Sequence, residues 1–114
     1  MNTVYTVAFS GSKFLMVYNP KRGGWEMPGG RIGDNENITD AAVREYAEES
    51  GYSVEIVAVR ETDECHVCAA VLGDKTGNGE FVSGLFESLP DELAFRRSEY
   101  RDIIEWAYSS VMSS

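Results

Sequence analysis

The stretch Gly30–Tyr52, which reads GRIGDNENITDAAVREYAEESGY, decides how the rest of the chain is interpreted. Its second half is made of helix-forming residues. Asn37 is a candidate N-cap and Gly51 stands just past the end, where a glycine commonly closes a helix. We therefore predict a helix of about three and a half turns over residues 37–50.

Three glutamates share one face of this predicted helix. Glu45, Glu48 and Glu49 lie at positions i, i+3 and i+4, so their carboxylates fall within a sector of about 100°. A solvated acidic face is one interpretation, because charge runs usually face water. The other is a site for a hard divalent cation, because Mg²⁺ prefers oxygen ligands and bridges carboxylates to phosphates. Arg44 stands next to Glu45 and could hold one of the carboxylates.

The rest of the chain alternates strand-like and helical patterns. Tyr100, Ile103, Ile104, Ala107 and Val111 recur at spacings of three and four, which predicts a C-terminal amphipathic helix with Ser98 as its cap. Because strands, helix, strands and helix follow one another, we predict one α/β or α+β domain over residues 1–114, with a mixed sheet flanked by helices. Short β-branched and aromatic runs predict strands over 4–9, 14–18, 53–60, 65–72 and 81–86. Gly29-Gly30 is interpreted as the opening of a loop, and the segment from Gly73 to Gly79 as a hairpin turn.

Charge and hydropathy exclude several classes of protein. The 114 residues carry a formal net charge of -9, which argues against a protein that grips long nucleic acids or anionic membranes. No apolar stretch approaches the ~18 residues of a membrane-spanning helix, and the N-terminus lacks the pattern of a signal peptide. We therefore expect a cytoplasmic protein without a membrane partner.

The two cysteines, Cys65 and Cys68, fit a reducing compartment. Their CxxC spacing includes the sole histidine of the chain, His66, so zinc binding and redox chemistry are alternative interpretations. Two cysteines in one strand point to opposite faces, and no second pair exists to complete a zinc site. We interpret them as partly buried strand residues.

The spacing from Gly30 to Tyr52 resembles the signature of the Nudix hydrolases, G-x5-E-x7-R-E-U-x-E-E-x-G-U, where U is a bulky aliphatic residue. Every fixed position matches, over 23 residues. Tyr46 and Tyr52 depart from the pattern by occupying the U positions. The preceding segment, Trp25–Gly30, is also similar to the entry segment of the family. The resemblance implies an α/β/α sandwich in which this Nudix box, residues 30–52, forms loop, helix and loop.

The resemblance also implies a reaction, namely hydrolysis of a nucleoside diphosphate linked to another group, with Mg²⁺ or Mn²⁺ as cofactor. It places Arg44 as the residue that orients the first carboxylate and Glu36 as a brace of the loop. Whether Glu45, Glu49 or a residue outside the box takes the proton of the attacking water stays open. The metal ligands that it carries over are Gly30 through its carbonyl, Glu45, Glu48 and Glu49.

Further candidates lie outside the box. Glu80 follows the glycine-rich turn and is the candidate for a fifth metal ligand, with a solvated strand-edge charge as the alternative. Arg22, Arg31 and Lys21 are candidates for phosphate contacts, although each could be an ordinary surface charge. Trp25 and Phe81 could stack on a base or pack at the rim of the core.

For the substrate, the segment from Leu85 to Pro90 and the short chain resemble MutT-like enzymes of the family. That resemblance favours a nucleoside triphosphate, with an ordinary or an oxidised base, as the small-molecule partner, cleaved to a nucleoside monophosphate and pyrophosphate. Hydrolysis of ADP-ribose, a nucleotide sugar, a dinucleoside polyphosphate or an RNA 5′ end is the rival. A non-hydrolytic nucleotide-binding domain is the alternative from another class. Paired subunits are common in the family, so a homodimer is a further expectation.

Overall fold

A computed structural model describes residues 2–113 and places a mixed β-sheet between two helices. Helix α1 spans Ile38–Ser50 and helix α2 spans Arg97–Ser113. The strands are β1 Thr3–Ser10, β2 Lys13–Asn19, β3 Gly24–Glu26, β4 Gly29–Arg31, β5 Tyr52–Glu61, β6 His66–Lys75 and β7 Val82–Phe86. The predicted class, a mixed sheet flanked by helices, is confirmed.

Strand β1 lies at the centre of the sheet. The main path of the sheet runs β3-β2-β1-β6-β5, while β4 also pairs with β1 and β7 with β2. The β1–β6 pairing is parallel, with Val4 opposite His66, and the other pairings are antiparallel. The antiparallel pairing of β4 with β1 carries Gly30 to a position opposite Val4. It thereby fixes the start of the Nudix box against the middle of the sheet.

Alternation along the central strands builds one apolar layer on each face of the sheet. On the face of α2, Val7 and Phe9 of β1 pack with Val67 and Ala69 of β6, under Tyr100 and Ala107 of the helix. On the face of α1, the intervening residues of the same strands pack under Ala41, Ala42 and Tyr46. The sheet is therefore buried on both faces, and the packing on one of them fixes the position of α1.

Both predicted ends of α1 are confirmed. The Asn37 side chain accepts a hydrogen bond from the Asp40 backbone N–H at 2.8 Å, which satisfies one of the free donors at the helix start. Gly51 closes the helix in the left-handed conformation, with φ of 81°, where a side chain would be strained.

The loop between β6 and β7 wraps around the C-terminal end of α1. Thr76 N–H donates to the carbonyl of Gly51, Glu80 N–H to that of Glu48 and Phe81 N–H to that of Glu49. These bonds satisfy carbonyls that a helix end otherwise leaves free. They also place Glu80 beside the last turn of the helix that carries the glutamates.

Three local expectations are corrected. Gly29 and Gly30 do not open a loop, because they belong to β4 and pair with β1. Ser98 is not a cap, because α2 already begins at Arg97. Strand β6 continues to Lys75, so the turn expected from Gly73 starts three residues later than the sequence suggested. The two cysteines do face opposite sides of the sheet, with Cys68 buried toward α1 and Cys65 toward α2.

Candidate active site

Arg44 is the centre of the polar network on α1. Its Nε and Nη2 donate to the two carboxylate oxygens of Glu36 at 2.8 Å each, and Nη2 also donates to the Arg31 carbonyl at 3.0 Å. Its Nη1 donates to Glu45 at 2.8 Å and to Glu48 at 3.3 Å. All five guanidinium donors therefore have a partner, a pattern that a lysine cannot reproduce.

Glu36 braces the loop that leads into α1. Besides the fork of Arg44, its Oε1 accepts the Gly33 backbone N–H at 2.8 Å. These hydrogen bonds, the Arg44 side chain first, lower the pKa of Glu36 to about 2. The carboxylate is therefore charged at any ordinary pH, and it ties the loop after β4 to the helix.

Glu45 lies directly against Gly30. A Cβ added to Gly30 would stand 2.1 Å from Oε2 of Glu45, so the carboxylate would have to move away. The glycine is thus what lets the carboxylate lie here, and its backbone forms one wall of the space around it. The other oxygen, Oε1, is held by Arg44, so Glu45 has a fixed orientation.

Glu49 is partly buried and lies near several other carboxylates. Its Oε1 accepts the Gly29 backbone N–H at 2.9 Å. Burial first, and then the nearby carboxylates of Glu26, Glu45 and Glu80, raise the pKa of Glu49 to about 7, although the Gly29 bond acts to lower it. Its place in the last turn of α1, which contains no basic residue, adds the unfavourable end of the helix dipole. The charged form of Glu49 is therefore disfavoured at this position.

These groups line one open cleft of about 500 Å³, which we call the glutamate cleft. The carboxylates of Glu45, Glu49 and Glu80 stand on its walls together with the backbone of Gly29 and Gly30. Its basic side chains are Lys21, Arg22 and Arg31. The structure thus brings together, in one cleft, eight of the residues that the sequence singled out, and these are Lys21, Arg22, Gly30, Arg31, Glu45, Glu49, Glu80 and Phe81.

Glu48 points away from the cleft wall. Its side chain is 54% exposed and rests on Arg44. Within residues 2–113, no three acidic, histidine or cysteine side chains converge closely enough to enclose a metal ion as they stand. Glu48 lies outside the cleft because the Arg44 guanidinium binds both Glu45 and Glu48.

A buried carboxylate that the sequence analysis missed also lines the cleft. Glu26, in β3, is 3% exposed and accepts hydrogen bonds from Arg22 Nη1 at 2.9 and 3.2 Å and from Asn19 Nδ2 at 3.4 Å. The guanidinium of Arg22 also lies 5.3 Å from the centre of the Phe95 ring. The sequence did carry one signal for this site, a glutamate inside the apolar segment Trp25–Pro28. An acidic residue is rarely buried without a partner, so a polar partner could have been expected there.

Trp25 lies outside the glutamate cleft. Its ring packs edge-to-face against Tyr18 at 5.5 Å and Phe86 at 4.9 Å. Its carbonyl accepts hydrogen bonds from the Tyr100 hydroxyl and the Ala94 N–H. Of the two aromatic candidates for base stacking, the structure therefore places Phe81 at the cleft and Trp25 in the packing between the sheet and the segment before α2.

Comparison with known proteins agrees with this geometry. The NUDIX domain model matches residues 2–110, and the chain therefore belongs to the Nudix family. The Nudix hydrolase YvcI of Bacillus subtilis, itself uncharacterized, is 44% identical over 39 residues, which make up 34% of this chain and 25% of that protein. The match thus spans about a quarter of that relative's length.

Two solved structures share the fold at 25% sequence identity. The NUDIX hydrolase from Nitrosomonas europaea superposes with a TM-score of 0.72 over 94% of this chain and 71% of that one. An ADP-ribose pyrophosphatase from Streptococcus suis superposes with a TM-score of 0.69 over 95% of this chain and 91% of that one. Both likenesses cover the sheet and its flanking helices.

Proposed function

We propose that this chain hydrolyses nucleoside diphosphates linked to another group. The particular substrate proposed is a nucleoside triphosphate, cleaved to a nucleoside monophosphate and pyrophosphate. One observation carries the proposal: the carboxylates of Glu45, Glu49 and Glu80 share a single cleft with the bases Lys21, Arg22 and Arg31. A cleft with both signs of charge suits a polyphosphate that arrives with its cations.

The residues present fit a hard divalent cation. Carboxylate oxygens and a backbone carbonyl are the ligands that Mg²⁺ and Mn²⁺ prefer. Burial first, and then the neighbouring carboxylates, raise the pKa of Glu49, and a bound cation would favour its charged form. Gly30 leaves room where a Cβ would not. The residues proposed to hold the metal are Gly30, Glu45, Glu49 and Glu80, which line the cleft, and Glu48, whose side chain would have to turn from Arg44 toward it. When bound, the metal supplies charge neutralisation on the pyrophosphate and lowers the pKa of an attacking water.

The chain's own residues provide positioning and proton transfer. Arg44 orients Glu45, and Glu36 holds Arg44 in place. Arg22 and Arg31, with Lys21, are proposed to bind phosphate oxygens from the cleft wall. Glu45 or Glu49 accepts the proton of the attacking water. Glu49 lines the cleft and is oriented by the Gly29 N–H at 2.9 Å, which supports a place for it in this step.

A second candidate activity is hydrolysis of ADP-ribose. The Streptococcus suis protein of similar fold bears the name ADP-ribose pyrophosphatase, at 25% identity. The same cleft chemistry would serve both reactions, because each breaks a phosphoric anhydride. The products separate them, since ADP-ribose releases no pyrophosphate.

The test is a turnover assay with Mg²⁺ or Mn²⁺ and a panel of nucleoside triphosphates, ADP-ribose, nucleotide sugars and dinucleoside polyphosphates. Pyrophosphate and phosphorylated products are quantified separately. We expect pyrophosphate from triphosphates, abolished by a chelator. Glu49→Gln should lower turnover by at least about a hundredfold, because the neutral amide neither accepts the proton nor binds the cation well.

Glu105→Gln is the matched control, because Glu105 is an exposed glutamate of α2 outside the cleft. It should retain full turnover. Activity that survives the chelator or the Glu49 change would contradict the metal mechanism. Binding of nucleotides without turnover across the panel would favour a regulatory binding domain instead.

A further inference from the structure

The β6–β7 loop, residues 76–81, contains the one Asn-Gly pair of the chain, Asn78-Gly79. Asparagine is a chemically labile residue, and a following glycine makes it more so, because no Cβ hinders the approach of the next backbone nitrogen to the side-chain amide. The same loop carries Glu80, which lines the glutamate cleft. We propose that Asn78 is a modification site, where spontaneous deamidation loosens this loop from the end of helix α1.

Packing against α1 requires the glycine of this pair. A Cβ added to Gly79 would stand 2.2 Å from the carbonyl oxygen of Glu49, a backbone atom of the helix that no side-chain rotation can move away. The side chain of Asn78, by contrast, is exposed and belongs to no helix or strand. The fold therefore keeps a glycine next to an asparagine that water can reach.

Both groups that would react are free of hydrogen bonds. In the part of the chain that the structure describes, neither the Asn78 side chain nor the Gly79 N–H has a hydrogen-bond partner. Asn35 provides the contrast. It is also exposed, but the next residue is Glu36, whose N–H already donates to the Gly33 carbonyl at 3.2 Å. Deamidation is therefore expected at Asn78 and not at Asn35.

The reaction consumes water and releases ammonia. The Gly79 nitrogen attacks the side-chain carbonyl carbon of Asn78 and forms a C–N bond, and the side-chain amino group leaves as ammonia with the proton of the Gly79 N–H. The product is a five-membered succinimide ring. Water then opens the ring, either at the side-chain carbonyl to give aspartate or at the backbone carbonyl to give isoaspartate. Both products add a negative charge, and isoaspartate also adds a carbon atom to the main chain.

The loop is anchored to α1 on both sides of the pair. Before it, the N–H groups of residues 76 and 77 donate to the carbonyl of Gly51 at 2.8 and 3.2 Å. After it, the N–H groups of Glu80 and Phe81 donate to carbonyls in the last turn of α1 at 2.9 and 3.1 Å. Asn78-Gly79 spans the distance between these two anchors, so an added main-chain atom displaces one of them. Loss of the second anchor moves Glu80 away from the wall of the cleft.

Ageing of the purified protein tests the modification. Wild-type protein is kept in mildly alkaline buffer at body temperature, released ammonia is quantified, and peptides are mapped by mass spectrometry with enzymatic methylation of isoaspartate. We expect one ammonia for each Asn78 converted and an unchanged Asn35 peptide. Asn78→Gln is the matched control, because its ring would need six members, so its conversion should be at least about tenfold slower. An Asn78 that stays intact, or that converts no faster than Asn35, would overturn the proposal.

Hydrogen exchange of the folded protein tests the effect on the loop. In the isoaspartate fraction, the amides of Glu80 and Phe81 should exchange at least about tenfold faster than in fresh protein, because their hydrogen bonds to α1 are lost. Asn78→Asp adds the charge without the extra main-chain atom and should keep most of this protection. Unchanged exchange in the isoaspartate fraction would overturn the loosening of the loop, and an equal loss in Asn78→Asp would contradict the role of the added atom. Neither measurement depends on turnover, so both hold whether or not the proposed hydrolysis is found.

Discussion

Gly30 is the residue at which the backbone and the chemistry of the glutamate cleft meet. Its Cα faces the Glu45 carboxylate so closely that even a methyl group has no room. At the same time its pairing with Val4 fixes it in the sheet, so it cannot move aside. Glycine here is therefore a requirement of the site and not of a turn.

Gly30→Ala should displace the Glu45 carboxylate and break its bond to Arg44. A misplacement of about 1 Å at a catalytic group costs on the order of a hundredfold in rate, so we expect a loss of that size in kcat/KM. Gly77→Ala is the control, because a Cβ at Gly77 meets nothing within 4 Å. Equal losses from the two substitutions would show that close approach at Gly30 does not matter.

The loop after β4 and helix α1 are joined as elements through Glu36 and Arg44. Because the folded state depresses the pKa of Glu36 to about 2, the carboxylate binds fewer protons when folded than when unfolded. Its contribution to stability is therefore fully present above about pH 4.5 and is lost as the pH falls toward 2. The connection between loop and helix should weaken in acid.

Glu36→Gln tests this dependence through urea unfolding followed by circular dichroism from pH 7 to pH 2. The variant should be less stable than the wild type at pH 7, and the difference should shrink below about pH 4.5 and be close to zero at about pH 2, where the folded-state carboxyl is itself half protonated. Asp34→Asn, an exposed acid of the same loop, serves as the control. A destabilisation that stays constant over the whole pH range would assign the effect to packing instead.

The elements of the site were predictable where the signal is local. Asn37, Gly51 and the helix between them follow from capping and composition, and the spacing of the box placed Glu45, Glu49 and Gly30 together. The strand character of Gly29-Gly30 was not predictable, because it depends on pairing with β1, about 25 residues earlier in the sequence. The burial of Glu26 was not predictable either, because it depends on the partners that its side chain finds in Arg22 and Asn19. The position of the Glu48 side chain was not predictable either. Helical spacing puts Glu45 and Glu48 in one sector, but a hydrogen bond from Arg44 holds the Glu48 carboxylate outside the cleft.

On the scale of the whole molecule, several of the acidic side chains behind the net charge of -9 lie together in the glutamate cleft. Acidic side chains from β3, α1 and the β6–β7 loop meet there, so the repulsion among them couples three parts of the fold. A divalent cation bound in the folded state would relieve that repulsion. No helix within residues 2–113 is long and apolar enough to cross a membrane.

Mg²⁺ should therefore raise the melting temperature of the protein. At a hundred times its Kd a ligand that binds the folded state adds about 2.7 kcal/mol, which differential scanning fluorimetry resolves easily. Glu49→Gln should lose most of the rise, whereas Glu105→Gln should keep it. An equal rise with KCl at matched ionic strength would indicate simple screening of charge and no specific cation site.

The parallel pairing of β1 with β6 has a consequence for how the molecule acquires this site. It joins residues 4 and 66, which are 62 positions apart, and the seat of α1 on the sheet depends on both strands. Closing so long a loop costs chain entropy before the stabilising contacts between the strands form, and such non-local contacts slow folding. The helix can form early from its own caps, but its glutamates reach their places only when the central strands β1 and β6 have paired. Assembly of the glutamate cleft is thus a late event of folding, tied to the topology and not to the helix.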